Sequence, residues 1–185
     1  MIKLSKDILF KAIIKSINNS AQLIEEGKIL KDNNRFARAY CLFQFAIEEV
    51  GKANMTFKFL LFDDYEDANN QKIFLARFKN HRVKIKESIE IDNFLIMIPM
   101  KNSLRKTLKL NIKKQSNSIQ KFDELKNLSL YTFLIENECL LPAEIISEEL
   151  VNDIEFYADC RQKLAKELFD ILIKDFDKIR NKIAD

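Results

Sequence analysis

Glycine and proline are scarce: the 185-residue chain has two of each. That leaves too little turn chemistry for a protein built of many hairpins, so a large β-sheet architecture is excluded and an all-α fold is expected. Cysteine supplies no framework either. Cys41, Cys139 and Cys160 are odd in number and widely spaced with no CxxC pair, which argues against both a disulfide scaffold and a zinc site; they are expected to be reduced and mostly buried. Histidine occurs once, so no H-E-x-x-H or other His-pair metal motif exists, and no metal or cofactor is expected. A glycine-rich phosphate loop is missing as well, which sets aside a P-loop NTPase. No long apolar run is present. In the N-terminal stretch MIKLSKDILFKAII, Lys3, Lys6, Asp7 and Lys11 interrupt every run, so neither a signal-peptide core nor a membrane span is expected and the cytoplasm is the expected compartment.

What the chain does have is length enough for one core, 47% hydrophobic content, and no compositional break, so residues 1–185 are read as a single helical domain. Its charge is unevenly spread. Lys72 to Lys126 holds 14 basic and 5 acidic residues, a local net of +9, which leaves −6 for the remainder of a chain whose total is +3. Such a concentration suits a polyanion, because phosphate attraction supplies most sequence-independent nucleic-acid affinity; a solvated lysine-rich face would produce the same count.

Apolar periodicity divides the chain into helices. Ser5 is expected to cap a first helix through about Leu30, with Gly27 near its end, and Asp32, Asn33 and Asn34 to form a break that caps a second helix reaching about Leu61. A third helix is expected from about Ala68 to Ile91. Pro99 limits helical continuity, so Phe94 to Ile98 reads as a short helix or a buried connector. A sparse, lysine-rich helix follows from Ser103 to about Lys126. Leu128 to Pro142 lacks helical spacing and reads as an extended or hairpin excursion, after which Ser147 caps a last long helix whose apolar seam runs to Ile183. Four to six helices with long amphipathic faces are best satisfied by an antiparallel bundle.

His81 is the only histidine, so any mechanism that needs a side chain titrating near neutral pH has one obvious candidate. Arg77 lies four residues before it and Lys84 three after, which on one continuous helix would form a strip. That strip suits metal-independent RNA cleavage: imidazole moves a proton at the 2′-hydroxyl or the leaving 5′-oxygen, cations stabilise the phosphorane, and the products carry a 2′,3′-cyclic phosphate and a 5′-hydroxyl. Phe74, Phe78, His81 and Ile85 also share helical spacing, so a packed structural histidine is the alternative. On the second helix, Ala37, Cys41, Gln44, Glu48 and Gly51 form a face of small and polar residues open to close approach by another helix, with Glu48 and Lys52 spaced for an i,i+4 ion pair.

Three stretches carry a family likeness: NRFARAYCLFQFAIEEVGK (Asn34 to Lys52), FLARFKNHRVK (Phe74 to Lys84), and KNLSLYTF followed by Pro142. Together they resemble the AbiV-type abortive-infection proteins, a branch of the HEPN superfamily of helical RNA-targeting domains. The resemblance implies a HEPN-like bundle and an antiphage effector acting as a metal-independent endoribonuclease. It carries the family pattern onto Arg38, Tyr40, Glu48, Glu49, Gly51 and Lys52, and the catalytic roles onto His81, Arg77, Lys84 and Glu48. HEPN ribonucleases place Arg and His slightly farther apart than the three residues that intervene here, so Lys84 or Arg82 is the alternative cation. It further implies a homodimer that brings two copies of His81 together, an RNA substrate, and activation by a phage-encoded protein. Lys79, Arg82, Arg105, Lys106, Lys109, Lys113 and Lys114 are then the expected RNA contacts. The rival expectation is a non-catalytic helical module that binds a phage or host protein, or RNA without cleavage.

Overall fold

The computed structural model describes residues 4–97 and 99–184. Helices dominate, as the composition requires. Their order is α1 (Lys6–Asp32), α2 (Phe36–Phe62), α3 (Ala68–Lys79), α4 (His81–Met97), α5 (Asn102–Asn117), α6 (Ile119–Leu128), the hairpin β1 (Phe133–Ile135) and β2 (Glu138–Leu140), then α7 (Pro142–Ile145), α8 (Glu148–Lys174) and α9 (Phe176–Ala184).

The two expected serine caps are present: Ser5 Oγ accepts from the Ile8 N–H and Ser147 Oγ from the Leu150 N–H, both at 3.3 Å. The α2 cap differs from expectation. Asn34 adopts φ 58° in the turn and Arg35 occupies the cap position without a side-chain hydrogen bond.

Three expected helices are each split in two. Asn80 divides the third: its extended backbone (φ −83°, ψ 116°) ends α3, and its Oδ1 accepts from the Val83 N–H at 3.2 Å to start α4. Ser118 separates α5 from α6, its hydroxyl donating back to the Lys114 carbonyl. Asp175 separates α8 from α9. The excursion forms a small antiparallel hairpin pairing Phe133 with Leu140, Leu134 with Cys139 and Ile135 with Glu138. Helix α4 runs on to Met97, and Ile98 lies outside the described residues.

Helix α2 is central because 18 of its 27 residues are buried, and α1, α4 and α8 all pack against it. One end of the bundle is filled by Leu9, Ile13, Val50, Phe57, Phe59, Phe74, Ile91 and Phe169, with Phe59 stacked on Phe74 at 4.4 Å between ring centroids. Around the other end lie Ile24, Tyr40, Phe43, Ile47, Val151 and Ile154. Burying each of these large side chains contributes about 1.5–3 kcal/mol.

Both glycines sit at helix crossings. A Cβ on Gly27 would stand 2.7 Å from the Phe43 ring, and one on Gly51 would stand 1.9 Å from the Lys84 carbonyl oxygen. Gly27 therefore admits α2 against α1 and does not end its helix. The cysteines depart from expectation: only Cys41 is buried, while Cys139 and Cys160 are exposed. Among the described residues no helix is long and apolar enough to cross a membrane.

Candidate functional site

The polar strip of α2 faces α4 and α6, and Glu48 lies at its centre, 2% exposed. Gly51, one turn further along, has no side chain to hold α4 away. Asn80 starts α4 so that His81 is its first residue and Lys84 follows one turn later. Both then meet the same carboxylate oxygen: Glu48 Oε2 is 2.7 Å from His81 Nδ1 and 2.7 Å from Lys84 Nζ. Glu48 Oε1 accepts from Lys126 Nζ at 3.2 Å, and Lys126 also donates to Asp123 Oδ1 at 2.7 Å. Asp123 Oδ2 in turn accepts from Arg82 Nε at 3.3 Å.

The lysines are almost fully covered, Lys84 at 6% and Lys126 at 3%, whereas the His81 side chain is 49% exposed. A carboxylate set between two ammonium groups is an acceptor only, so His81 Nδ1 must donate to it. The neutral imidazole then keeps its lone pair on Nε2. Three cations, Arg82, Lys84 and Lys126, pair with two carboxylates, Glu48 and Asp123, which leaves an excess of positive charge beside the exposed ring. Burial alone would raise Asp123, but its hydrogen bonds to Lys126 and Arg82 and the charges of Lys126 and His81 hold it below its ordinary value.

Neighbouring family-motif residues hold the frame. Arg38 donates to the Ser129 and Leu130 carbonyls at 3.1 and 2.9 Å, fastening the end of α6. Burial pushes the Tyr40 phenol well above its usual range and the Cys41 thiol up to about 11, despite Ser129, Lys126 and Arg38, so neither is poised as a nucleophile. Glu48 does not pair with Lys52. Lys52 bonds Glu49 and lies 5.4 Å over the Phe78 ring, because Glu48 points the other way, into the contact with α4 and α6.

Arg77 is not beside His81. The break at Asn80 turns α3 aside, so Arg77, His81 and Lys84 do not share one helical strip, and Arg77 Nη2 pairs with Glu87 Oε1 at 3.1 Å. Glu87 is the hub of a second cluster with Asn54 and Lys58, beside a cavity of about 160 Å³. Lys84 is buried against Glu48 and so is a charge partner of the carboxylate, out of reach of a phosphate. Of the expected RNA contacts, Lys79, Arg82, Lys106, Lys109, Lys113 and Lys114 are exposed and Arg105 is half-buried.

Lys126 and Asp123 are the site residues that pattern reading missed. Lys126 stands in the KNLSLYTF stretch, yet a lysine at a helix end reads as solvated, and its burial shows only once α6 is packed against α2. Among the described residues no group of three or more His, Cys, Asp or Glu side chains is placed to hold a metal ion. No curated protein and no solved structure matches the chain significantly. A family model described as AbiV, of the HEPN class, matches residues 8–162, from the first turn of α1 into α8 and across every residue of the Glu48 cluster. With most of its length matched, the chain belongs to the AbiV family of HEPN-domain, abortive-infection proteins.

Proposed function

We propose that this protein aborts phage infection by cleaving RNA, with His81 as the proton-transfer group. The reading rests on one contact, the 2.7 Å hydrogen bond between buried Glu48 and half-exposed His81. A carboxylate on Nδ1 orients an imidazole and leaves Nε2 to take a proton from a 2′-hydroxyl or give one to a leaving 5′-oxygen. The bond broken is phosphorus to 5′-oxygen and the bond formed is 2′-oxygen to phosphorus, so the ends are a 2′,3′-cyclic phosphate and a 5′-hydroxyl. Arg82, exposed and next in sequence, takes the part of phosphate cation that sequence spacing assigned to Arg77. Lys106, Lys109, Lys113 and Lys114 on α5 would track the RNA backbone. One imidazole per chain supplies one proton-transfer group, so a two-fold dimer that brings two sites together would supply both acid and base.

A second reading draws on the hairpin and its flanks. Tyr131, Phe133, Leu134, Ile135 and Leu141 are all exposed, an apolar surface suited to a phage or host protein that either activates the site or is the whole of the function. The test is to incubate purified protein with total cellular RNA in excess EDTA, with and without infected-cell extract, and to map product ends for the wild type and a folded His81→Ala variant. Cyclic-phosphate ends that vanish in the variant are the expected result. Intact RNA in every condition would favour the protein-binding reading.

A further inference from the structure

We infer that the Lys126–Asp123 pair on α6 positions the reacting groups: Lys126 holds Glu48 so that its Oε2 stays on His81, and Asp123 holds Arg82 beside the ring. The consequence for catalysis rests on the ribonuclease reading; the geometry does not. Neither role involves touching substrate, since the Lys126 side chain is 3% exposed and that of Asp123 is 16% exposed.

Two donors compete for one oxygen. His81 Nδ1 and Lys84 Nζ both lie 2.7 Å from Glu48 Oε2, and Lys84 Nζ is also 3.4 Å from the same ring nitrogen. A glutamate carboxyl turns easily about its last torsion, so with Oε1 unpartnered it would rotate to give both oxygens to Lys84. The ammonium of Lys126 on Oε1 prevents that rotation. His81 thereby keeps an acceptor for Nδ1–H, and its lone pair stays on Nε2. Asp123 completes the chain by engaging Lys126 with Oδ1 and Arg82 Nε with Oδ2. A guanidinium held through Nε retains its two terminal amino groups, which have no carboxylate partner here among the described residues and suit a phosphate. The groups linked around the ring are thus Glu48 from α2, Lys84 and the neighbouring Arg82 from α4, and Asp123 and Lys126 from α6. The break at Ser118 makes α6 a separate helix from α5, and α6 packs against both α2 and α4.

His81 is the only histidine, so tag-free protein labelled with ¹⁵N-histidine gives one imidazole spectrum with no assignment problem. At a pH where the ring is neutral, its two nitrogen shifts report the tautomer. Wild type is expected in the Nδ1–H form, Lys126→Met to move toward the Nε2–H form common in free histidine, and Lys126→Arg to restore the wild-type spectrum. A purely structural role for Lys126 would lower stability and leave the tautomer alone. Asp123→Asn, which keeps Lys126 charged, is expected to move the tautomer the same way but less, and to raise the KM for RNA more than it lowers kcat. A folded Lys126→Met variant with the wild-type spectrum would overturn the inference; if that variant does not fold, an unchanged spectrum in Asp123→Asn would do so. Were the wild type to leave RNA intact while its spectrum responds to Lys126, the ribonuclease reading would fall and the positioning role would stand.

Discussion

Replacing Gly51 by alanine sets two tendencies against each other, and the structure decides between them. Within a helix alanine is favoured over glycine by about 1 kcal/mol, so on propensity alone Gly51→Ala stabilises α2. The new Cβ, however, would lie 1.9 Å from the Lys84 carbonyl oxygen and 2.7 Å from its carbon, both backbone atoms that no rotamer change can move. Reaching even 3.0 Å requires α2 and α4 to part by about 1 Å, and overpacking of this kind costs roughly 1–3 kcal/mol, occasionally more. The same parting would stretch the 2.7 Å contacts from Glu48 to His81 and Lys84 beyond hydrogen-bond length. Because the clash is with backbone, we take the cost at the upper end, about 3 kcal/mol, which less the propensity gain leaves a net loss of about 2 kcal/mol, or a Tm lower by about 4–8 °C for a chain of this size. Urea denaturation followed by circular dichroism measures the first, and the His81 imidazole spectrum reports the second. A variant as stable as wild type, with an unchanged ring environment, would refute the close approach of the two helices.

Three further outcomes follow from the same cluster. Glu48→Gln leaves two buried lysines facing a neutral amide and should cost about 3–5 kcal/mol in urea denaturation, far more than an exposed Glu→Gln change. Arg82→Ala should slow RNA cleavage by about tenfold or more, because the phosphorane loses its nearest exposed cation, whereas Arg77→Ala, paired to Glu87 on another face, should stay within about threefold; initial rates on one labelled RNA compare them. Asp123 is held below its ordinary value in the folded protein, so its contribution to stability is present above the unfolded value near 4 and is lost as pH falls through the lower folded value. The stability gap between wild type and Asp123→Asn, measured by urea denaturation, should therefore be widest near neutral pH and narrow below about pH 4.

The long helices were legible because they depend on local features: apolar spacing, the serine caps at Ser5 and Ser147, and the near-absence of turn residues. The breaks were harder to read. Asn80, Ser118 and Asp175 are ordinary polar residues in helical sequence, and each ends its helix through local bonds, of the side chain at Asn80 and Ser118 and of the backbone at Asp175, that compete weakly with continuation until packing selects them. The break at Asn80 ends the helix on which Arg77, His81 and Lys84 were expected to form one strip, and Arg77 pairs with Glu87. Spacing on an assumed helix could not reveal it. The polar face of α2 was legible as a place for close helix approach, and Gly51 against Lys84 is such an approach. Partners distant in sequence were not legible. The pairing of Glu48 with Lys84 and Lys126, in place of Lys52, joins residues 36 and 78 positions apart, which no local pattern encodes.

If this AbiV-family protein acts through His81-dependent RNA cleavage, the cut ends are countable in infected cells. RNA from phage-infected cells carrying wild type or His81→Ala, expressed to equal levels, is mapped for new 5′-hydroxyl ends while phage yield is counted. New ends and suppressed phage are expected with wild type, and neither with the variant. Full protection by His81→Ala with intact RNA would contradict His81-dependent cleavage.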